Sequence, residues 1–168
     1  MEGFAMGFPV VLNIDGRLCC VVGAGKVAER KVQSVLKAGA RVRVVGLDPT
    51  PQLMKLANDK QIECYQRRFV DADLTGCWMV FAATDDDEVN AHVGALANEQ
   101  GILFGHAAGG SSDFMLPAVL DIGDLQIAVS TNGASPLYAR WVRDYLQQHL
   151  VDEHAEVLSV LKWAREKL

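Results

Sequence analysis

The residues that could do chemistry begin with a glycine-rich turn. Gly23, Gly25 and Ala28 form a G-x-G-x-x-A pattern directly after the apolar run LCCVV and at the start of an amphipathic stretch. In such a turn the first glycine permits a tight bend, the second lets the backbone approach a pyrophosphate, and the small third residue keeps helix and strand close. The helix N-terminus then offers free N–H groups to the anion. The pattern predicts dinucleotide binding; the alternative is a glycine turn with a purely structural role.

The type of dinucleotide should be recognised at the end of the second strand. An acidic residue that binds the ribose is expected about 20 residues after the turn. The chain instead has Val45 and Gly46 there, so Asp48 is the nearest candidate. No arginine stands at that strand end to hold a 2′-phosphate, although Arg41 and Arg43 are close. These residues favour NAD over NADP.

A second candidate cluster is the sequence AATDDD at 82–87, which follows an apolar run. Open α/β sheets bind ligands at the carboxyl ends of such strands. The alanines leave room for the nicotinamide half of a dinucleotide, and Thr84 offers a hydroxyl group. The acidic residues, Asp85 among them, suit the positive end of the next helix. We expect both roles, with Thr84 facing the cofactor and the later acids capping the helix.

A third cluster, STNGASP at 130–136, precedes two arginines three residues apart. Hydroxyls, an amide and guanidinium groups that converge in this way could bind carboxylates. The alternative is an ordinary N-capped helix with solvated arginines. The candidate substrate-binding residues are Ser130, Asn132, Ser135, Arg140 and Arg143.

The elements that position these clusters alternate between strand and helix. Apolar runs predict strands at 10–14, 18–22, 42–45, 62–65, 78–83 and 102–104, with amphipathic stretches between most of them. Because parallel neighbours need crossover helices, this alternation predicts an α/β fold with a Rossmann-type doubly wound parallel sheet. We expect this NAD-binding domain to occupy residues 1–113.

The pattern changes after residue 104. Two apolar runs around Gly123 predict a β-hairpin, and a helix follows whose Leu137, Trp141 and Tyr145 are expected to point inward. We expect this hairpin and helix to form a dimerisation arm over 114–150. A truncated C-terminal helical segment follows at 151–168.

Composition narrows the class of protein. The 168 residues carry 16 Lys and Arg against 21 Asp and Glu, a formal net charge of −5, which argues against nucleic acid as a partner. No apolar run reaches the ~18 residues of a membrane-spanning helix, and no basic segment marks a signal peptide. The four cysteines show no metal-ligand spacing and are interpreted as buried free thiols. We therefore expect a cytoplasmic protein with no membrane partner and no metal site.

Four segments together carry a family resemblance: Phe8-Pro9, VVGAGKVAERK at 21–31, FAATDDDEVN at 81–90 and STNGASPLYAR at 130–140. In this order and spacing they resemble the precorrin-2 dehydrogenase/sirohydrochlorin ferrochelatase family, the N-terminal region of siroheme synthase. The resemblance implies an oxidoreductase of siroheme biosynthesis, a homodimer that oxidises precorrin-2 to sirohydrochlorin with NAD. By position it implies cofactor contacts at Gly25, Lys26, Val27, Leu47, Asp48, Thr84 and Asp85.

The chain departs from the family pattern at the end of the fifth strand. Family members usually carry there an aspartate that is the proposed acid/base, whereas this sequence has Ala108. Asp113 or His106 could substitute as the catalytic residue, or the chemistry needs no such group. Metallation must remove pyrrolic protons, while hydride loss depends chiefly on placing the substrate against the nicotinamide. The alanine therefore puts the ferrochelatase step in doubt.

Two alternatives stay open. A non-catalytic NAD- or tetrapyrrole-binding homologue, acting as a carrier or partner subunit, would also fit the loss of the aspartate. A regulatory nucleotide-binding module is the other, and the hairpin and the STNGASP segment speak against it. Because a tetrapyrrole of this class is a polycarboxylate and the chain is acidic, its site must be a local basic island. The candidate residues are Arg140 and Arg143, with Arg30 and Lys31 in addition.

Overall fold

The computed structural model describes residues 7–107, 111–150 and 153–167, with side chains from residue 157 onward in the last range. The chain divides into two compact units. The sheet unit is Val10–Phe114, and the hairpin unit comprises Met115–Leu168 together with the described residues that precede Val10.

The sheet unit contains five parallel strands in the order β3-β2-β1-β4-β5. The strands are β1 (Leu18–Val22), β2 (Arg41–Val45), β3 (Glu63–Tyr65), β4 (Met79–Ala82) and β5 (Leu103–His106). The helices are α1 (Lys26–Lys37), α2 (Pro51–Asn58) and α3 (Asp87–Gln100), with a short 3₁₀ turn at Asp71–Leu74. This confirms the predicted doubly wound sheet. The strand order reverses between β1 and β4, which is where such sheets bind ligands.

Both faces of the sheet are buried, because the central strands are apolar at every position. All four residues of β4 and the last four of β1 are buried. On one face Val21 and Phe81 pack with Val32 of α1, and on the other Val22 packs with Val93 of α3. A continuous apolar run therefore produces a strand covered by helices on both sides, as parallel sheets require.

Residues at the helix ends set the helix boundaries, and an acid of the 82–87 segment caps the next helix as expected. Thr50 caps α2 by accepting a hydrogen bond from the Leu53 N–H at 3.3 Å, and Asp86 caps α3 in the same manner. Helix α1 ends at Lys37, just before Gly39, and α3 ends at Gly101, whose φ of +66° closes the helix in a left-handed conformation. The N-terminal caps Thr50 and Asp86 lie in the loops that follow β2 and β4, at the carboxyl ends of these strands.

The strand predicted at 10–14 is wrong. Val10 and Val11 are exposed, Val11 to 90%, and the segment pairs with no strand among the described residues. The reason lies in the sheet order, because β2 and β4 already occupy both edges of β1. Only Ile14 of this segment is buried in the core.

The hairpin unit confirms the predicted β-hairpin. Strands β6 (Ala118–Ile122) and β7 (Leu125–Val129) pair antiparallel around Gly123 and Asp124, with Leu120 opposite Ile127. Two helices follow, α4 (Pro136–His149) and α5 (Glu153–Lys167).

The predicted inward face of α4 is wrong. Leu137, Trp141 and Tyr145 are 72%, 56% and 48% exposed, and Ala139 is the buried residue of this helix. Helix α4 carries apolar residues on more than one side, so its periodicity does not decide which side packs. The small alanine allows the closest packing, and the large side chains are left outside.

Several sequence expectations concern absent features. In the described parts of the chain, no helix is long and apolar enough to cross a membrane, and no group of three potential metal ligands converges. All four cysteines are free thiols, with Cys19 and Cys20 buried.

Candidate dinucleotide site

The glycine turn is built around Gly23, which no other residue could replace without strain. Its φ is +117°, and a Cβ at this position would collide with the carbonyl oxygen of Ala83. The Gly23 N–H donates to the Val45 carbonyl oxygen at 2.8 Å. The turn is therefore held between the carboxyl ends of β2 and β4, at the switch point.

Gly25 leaves open space at the helix N-terminus. It is the N-cap residue of α1, and no side chain caps this helix. A Cβ on Gly25 would meet no atom within 4 Å. The first N–H groups of α1 therefore face an open volume that a pyrophosphate could enter, and the residues present fit the phosphate half of a dinucleotide.

The loop after β2 is pressed against the glycine turn. The Thr50 N–H donates to the Ala24 carbonyl oxygen at 3.1 Å, and a Cβ on Gly46 would lie 2.7 Å from the Ala24 Cβ. Leu47 and Asp48, which follow, are exposed. Asp48 is thus an exposed acidic residue at the carboxyl end of β2, where a ribose lies in domains of this type.

Arg41 and Arg43, the two arginines near this loop, form contacts away from the carboxyl end of β2. The Arg43 guanidinium donates to the Glu63 carboxylate at 3.0 Å and to the Asp73 carbonyl oxygen at 2.9 Å. Arg41 forms an ion pair with Glu63 at 3.8 Å. Both contacts lie at the amino-terminal part of β3, because Arg43 is in register with Glu63.

Thr84, which follows β4, is held by Asn90, a residue that was not among the sequence-based candidates. Its hydroxyl donates to the Asn90 side-chain oxygen at 2.8 Å, while the Asn90 side-chain nitrogen donates to the Thr84 carbonyl oxygen at 2.9 Å. The Thr84 hydroxyl also accepts from the Asp86 N–H at 3.2 Å. Asp85 is exposed beside it. The Thr84 hydroxyl, which we expected to face the cofactor, therefore forms hydrogen bonds that fix the loop after β4.

Asn90 is only 3% exposed. A signal for it exists in the sequence, because Asn90 occupies the same buried helical stripe as Val93 and Ala97. A polar residue in such a stripe must find a buried partner.

The two candidate acid/base residues lie along the outer edge of β5. The Asp113 carboxylate accepts a hydrogen bond from the Phe104 N–H at 2.8 Å, and the Asp113 N–H donates to the Phe104 carbonyl oxygen at 2.8 Å. The His106 N–H donates to the Ser112 hydroxyl oxygen at 2.9 Å. Asp113 and Ser112 thus form hydrogen bonds with backbone groups of β5. These groups would otherwise be unpaired, because β5 is an edge strand.

His106 and Asp113 also line one pocket. Its volume is about 640 Å³, and Asp87, Asn90 and Ser111 are among its other lining residues. Ala108, the position of the family's aspartate, lies outside the described residues. The structure therefore places both candidate acid/base residues at one pocket. Asp113 also has a structural role, because its carboxylate accepts a hydrogen bond from the edge of β5.

The third cluster serves largely local structure within the hairpin unit. Ser135 caps α4 by accepting from the Tyr138 N–H at 3.1 Å, and the Ser130 hydroxyl oxygen accepts from the Asn132 N–H at 3.1 Å. Asn132 adopts a φ of +52°, and its side-chain oxygen accepts from the Gly7 N–H at 3.0 Å.

The two arginines of this cluster differ. Arg143 forms an ion pair with its neighbour Asp144 at 2.6 Å. Arg140 is exposed, and within the described residues no hydrogen bond or ion pair engages its side chain. Of the two arginines, Arg140 is therefore the one whose guanidinium is accessible to an anion.

A parallel sheet whose order reverses beside a glycine turn and an uncapped helix defines a dinucleotide-binding domain. Comparison with known protein families also indicates a dinucleotide-binding domain. Residues 10–118 match the family described as putative NAD(P)-binding, and residues 123–149 match the family described as sirohaem biosynthesis protein central.

Individual relatives are similar along both units. The chain is 41% identical over 140 residues to a siroheme synthase of Nitrosococcus oceani and 37% identical over 147 residues to one of Citrobacter koseri, and it spans 30% and 32% of their lengths. These alignments cover 83% and 87% of this chain. A solved structure of SirC, a precorrin-2 dehydrogenase, superposes with a TM-score of 0.83 and 28% identity, covering 95% of this chain and 79% of SirC. The chain belongs to the precorrin-2 dehydrogenase/sirohydrochlorin ferrochelatase family, which confirms the resemblance.

Proposed function

We propose that this chain oxidises precorrin-2 to sirohydrochlorin, with NAD as the hydride acceptor. The observation that carries the proposal is the open, uncapped N-terminus of α1 behind Gly25, in a chain that matches SirC over 95% of its length. An anion-binding helix end at a switch point suits a dinucleotide. The similarity to a precorrin-2 dehydrogenase supplies the substrate.

The cofactor contacts that we propose are Gly23, Gly25, Lys26, Val27, Leu47, Asp48, Thr84 and Asp85. The pyrophosphate would accept hydrogen bonds from the first N–H groups of α1, and Asp48 would bind ribose hydroxyls. Thr84 and Asp85 would line the nicotinamide half. The use of Arg43 and Arg41 in contacts to Glu63 supports NAD over NADP, because neither guanidinium stands at the carboxyl end of β2 to hold a 2′-phosphate.

The chemistry asks this chain chiefly for positioning. Bound NAD supplies the two-electron acceptor, so one hydride leaves the substrate carbon and one proton leaves for a base or for water. We propose His106 as the candidate base that accepts this proton, because it lines the pocket at the end of β5 and an imidazole nitrogen can accept a proton. Asp113 is the weaker candidate, since its carboxylate accepts the Phe104 N–H.

The tetrapyrrole carboxylates require positive charge. We propose that Arg140 binds one of them, with Arg143, Ser130, Asn132 and Ser135 around it. The exposed guanidinium of Arg140, which makes no hydrogen bond or ion pair with any residue that the structure describes, supports this role. The contact of Arg143 with Asp144 would have to open or be shared.

A homodimer is the assembly that we propose, with a second copy of this chain covering α4. Tyr138, Trp141, Tyr145 and His149 stack in sequence along the outside of this helix, with ring centroids 5.5, 5.7 and 4.0 Å apart. We call these four residues the aromatic ladder. Exposed apolar patches of this kind mark interfaces.

A cytoplasmic location is also proposed. The four thiols are free, and two of them are buried in β1, which suits a reducing compartment.

The test of the proposed function is an assay with precorrin-2 and either NAD or NADP. We expect NADH to form at a rate proportional to protein concentration, and NADP to support a much slower reaction. Binding of NAD and of tetrapyrrole without any NADH would select the alternative, a carrier or partner subunit without catalytic activity. The alanine at position 108 is the feature that favours that alternative.

A further inference from the structure

Lys31 is a lysine whose amine rests on an aromatic ring and not on an acid. It lies in the second turn of α1 and is half-buried. Its Nζ stands 5.7 Å from the centroid of the Phe81 ring. Across the part of the chain that the structure describes, no hydrogen bond or ion pair joins this amine to another residue.

The surroundings of the Lys31 amine make its charged form unfavourable. Burial lowers the pKa of the Lys31 amine, and the neighbouring positive charge of Arg30 lowers this pKa further. A lysine normally keeps its amine in water and buries only its stem. The cation–π contact with Phe81 offsets part of the lost hydration, but a carboxylate partner would offset more.

Lys31 also stands close to the ligand-binding edge of the sheet. Phe81 is in register with Gly105, one residue before the carboxyl ends of β4 and β5. The rings of Phe81 and Phe114 meet edge to face at 5.4 Å, and a Cβ on Gly105 would collide with the Phe114 ring at 2.7 Å. The amine therefore lies over an apolar floor near the strand ends, where an ion pair is screened less than on an open surface.

We propose that the Lys31 amine binds a carboxylate group of the tetrapyrrole substrate and so helps to position it at the ends of β4 and β5. The inference rests on the proposed function, because it assumes a polycarboxylate substrate. Lys31 is a positive group that the sheet unit itself supplies for that substrate. It is a positioning residue, and no proton transfer is assigned to it.

The test compares Lys31→Met, Lys31→Arg and the control Lys55→Met. Lys55 is an exposed lysine on α2, so its replacement removes the same charge from the surface of the sheet unit. Sirohydrochlorin affinity without NAD, the KM for precorrin-2, NAD affinity and the thermal midpoint are measured for each. We expect Lys31→Met to weaken sirohydrochlorin binding and to raise the KM by about tenfold, as for a charge-assisted hydrogen bond. NAD affinity should stay unchanged, and Lys31→Arg should recover most of the loss.

The thermal midpoint separates this role from a structural one. Methionine preserves the apolar stem and removes an unpaired half-buried charge, so Lys31→Met should be at least as stable as the wild type. An unchanged sirohydrochlorin affinity and KM in Lys31→Met, in a wild type that does oxidise precorrin-2, would overturn the role of Lys31 alone. A wild type that neither binds sirohydrochlorin nor oxidises precorrin-2 would overturn the proposed function and this inference with it.

Discussion

Asn90 and Thr84 hold each other through both ends of the asparagine amide. Its oxygen accepts from the Thr84 hydroxyl at 2.8 Å, and its nitrogen donates to the Thr84 carbonyl oxygen at 2.9 Å. The pair ties the first buried residue of α3 to the loop after β4. The loop that we place against the nicotinamide is thereby fixed by a buried residue of α3.

The first prediction concerns this pair. Asn90→Ala leaves buried hydrogen-bonding groups of Thr84 without partners, so we expect a loss of about 1–3 kcal/mol in the free energy of unfolding. We also expect weaker NAD binding, because the loop loses its fixed shape. Asn98→Ala is the control, since Asn98 is exposed on the same helix. Urea denaturation and NAD titration check both effects, and equal behaviour of the two variants would contradict the role given to Asn90.

The second prediction separates the two glycines of the turn. Gly23→Ala places a Cβ against the Ala83 carbonyl oxygen at a φ of +117°, so we expect a loss of stability of about 3 kcal/mol. Gly25→Ala meets no atom within 4 Å, so the fold should be nearly unaffected. Its methyl group instead enters the space proposed for the pyrophosphate, and NAD affinity should fall by roughly tenfold or ~1.4 kcal/mol. NAD binding that survives Gly25→Ala unchanged would place the cofactor elsewhere.

The third prediction is a pH dependence of stability. Burial alone would raise the pKa of the Asp73 carboxyl, but hydrogen bonds from Arg67 and from the Val70 N–H outweigh it and hold this pKa below its ordinary value of 3.8. A depressed carboxyl pKa stabilises the folded state above the ordinary value, and this contribution is lost as the pH falls through the lowered pKa.

Asp73→Asn should therefore cost about 1–2 kcal/mol at neutral pH, a figure kept low because Arg67 is partly exposed. Below pH 3.8 the difference between the variant and the wild type should shrink. Unfolding followed by circular dichroism across this range provides the measurement. A difference that is constant with pH would show that Asp73 does not act through its charge.

The fourth prediction tests the homodimer. Trp141→Glu puts a charge in the middle of the aromatic ladder, and burying an unpaired charge in an interface is strongly unfavourable. We expect the variant to be a monomer by light scattering at concentrations where the wild type is a dimer. Gln147→Glu, an equal charge change at an exposed position of α4, should leave the dimer intact. If wild type itself is monomeric, the proposed assembly is wrong.

Some of these features were visible in the sequence and some were not. The apolar residues of α1 lie on one side only, and Ala28, Val32 and Val35 on that side are buried, so their helical spacing is enough to define the packed face. Helix α4 has apolar residues on several sides, and the choice of Ala139 over Trp141 depends on tertiary packing that local patterns do not contain.

The candidate site shows the same division. The conformation of Gly23 follows from the glycine pattern, because only a glycine accepts that φ and that close approach. The roles of Asp113 and Asn90 depend on long-range hydrogen bonds to Phe104 and Thr84. The role of a polar residue of this kind depends on which groups lie near it in the folded chain. Spacing along the sequence does not specify those neighbours.

The fifth prediction addresses metal insertion. A residue that accepts pyrrolic protons should assist the ferrochelatase step, and alanine at position 108 cannot do so. We expect wild type to show no insertion of ferrous ion into sirohydrochlorin above the uncatalysed rate, and Ala108→Asp to gain it. The absorbance change on siroheme formation follows the reaction. Efficient insertion by the wild type would refute the argument from the missing aspartate.

The central claim is that this chain transfers a hydride from precorrin-2 to NAD. Its most direct test is the stoichiometry of a single reaction, in which NADH and sirohydrochlorin are measured together by absorbance. We expect one NADH for each sirohydrochlorin formed. When NAD is limiting, Gly25→Ala should lower the amounts of both products in parallel. Formation of sirohydrochlorin without NADH, or binding of both ligands with neither product, would contradict it.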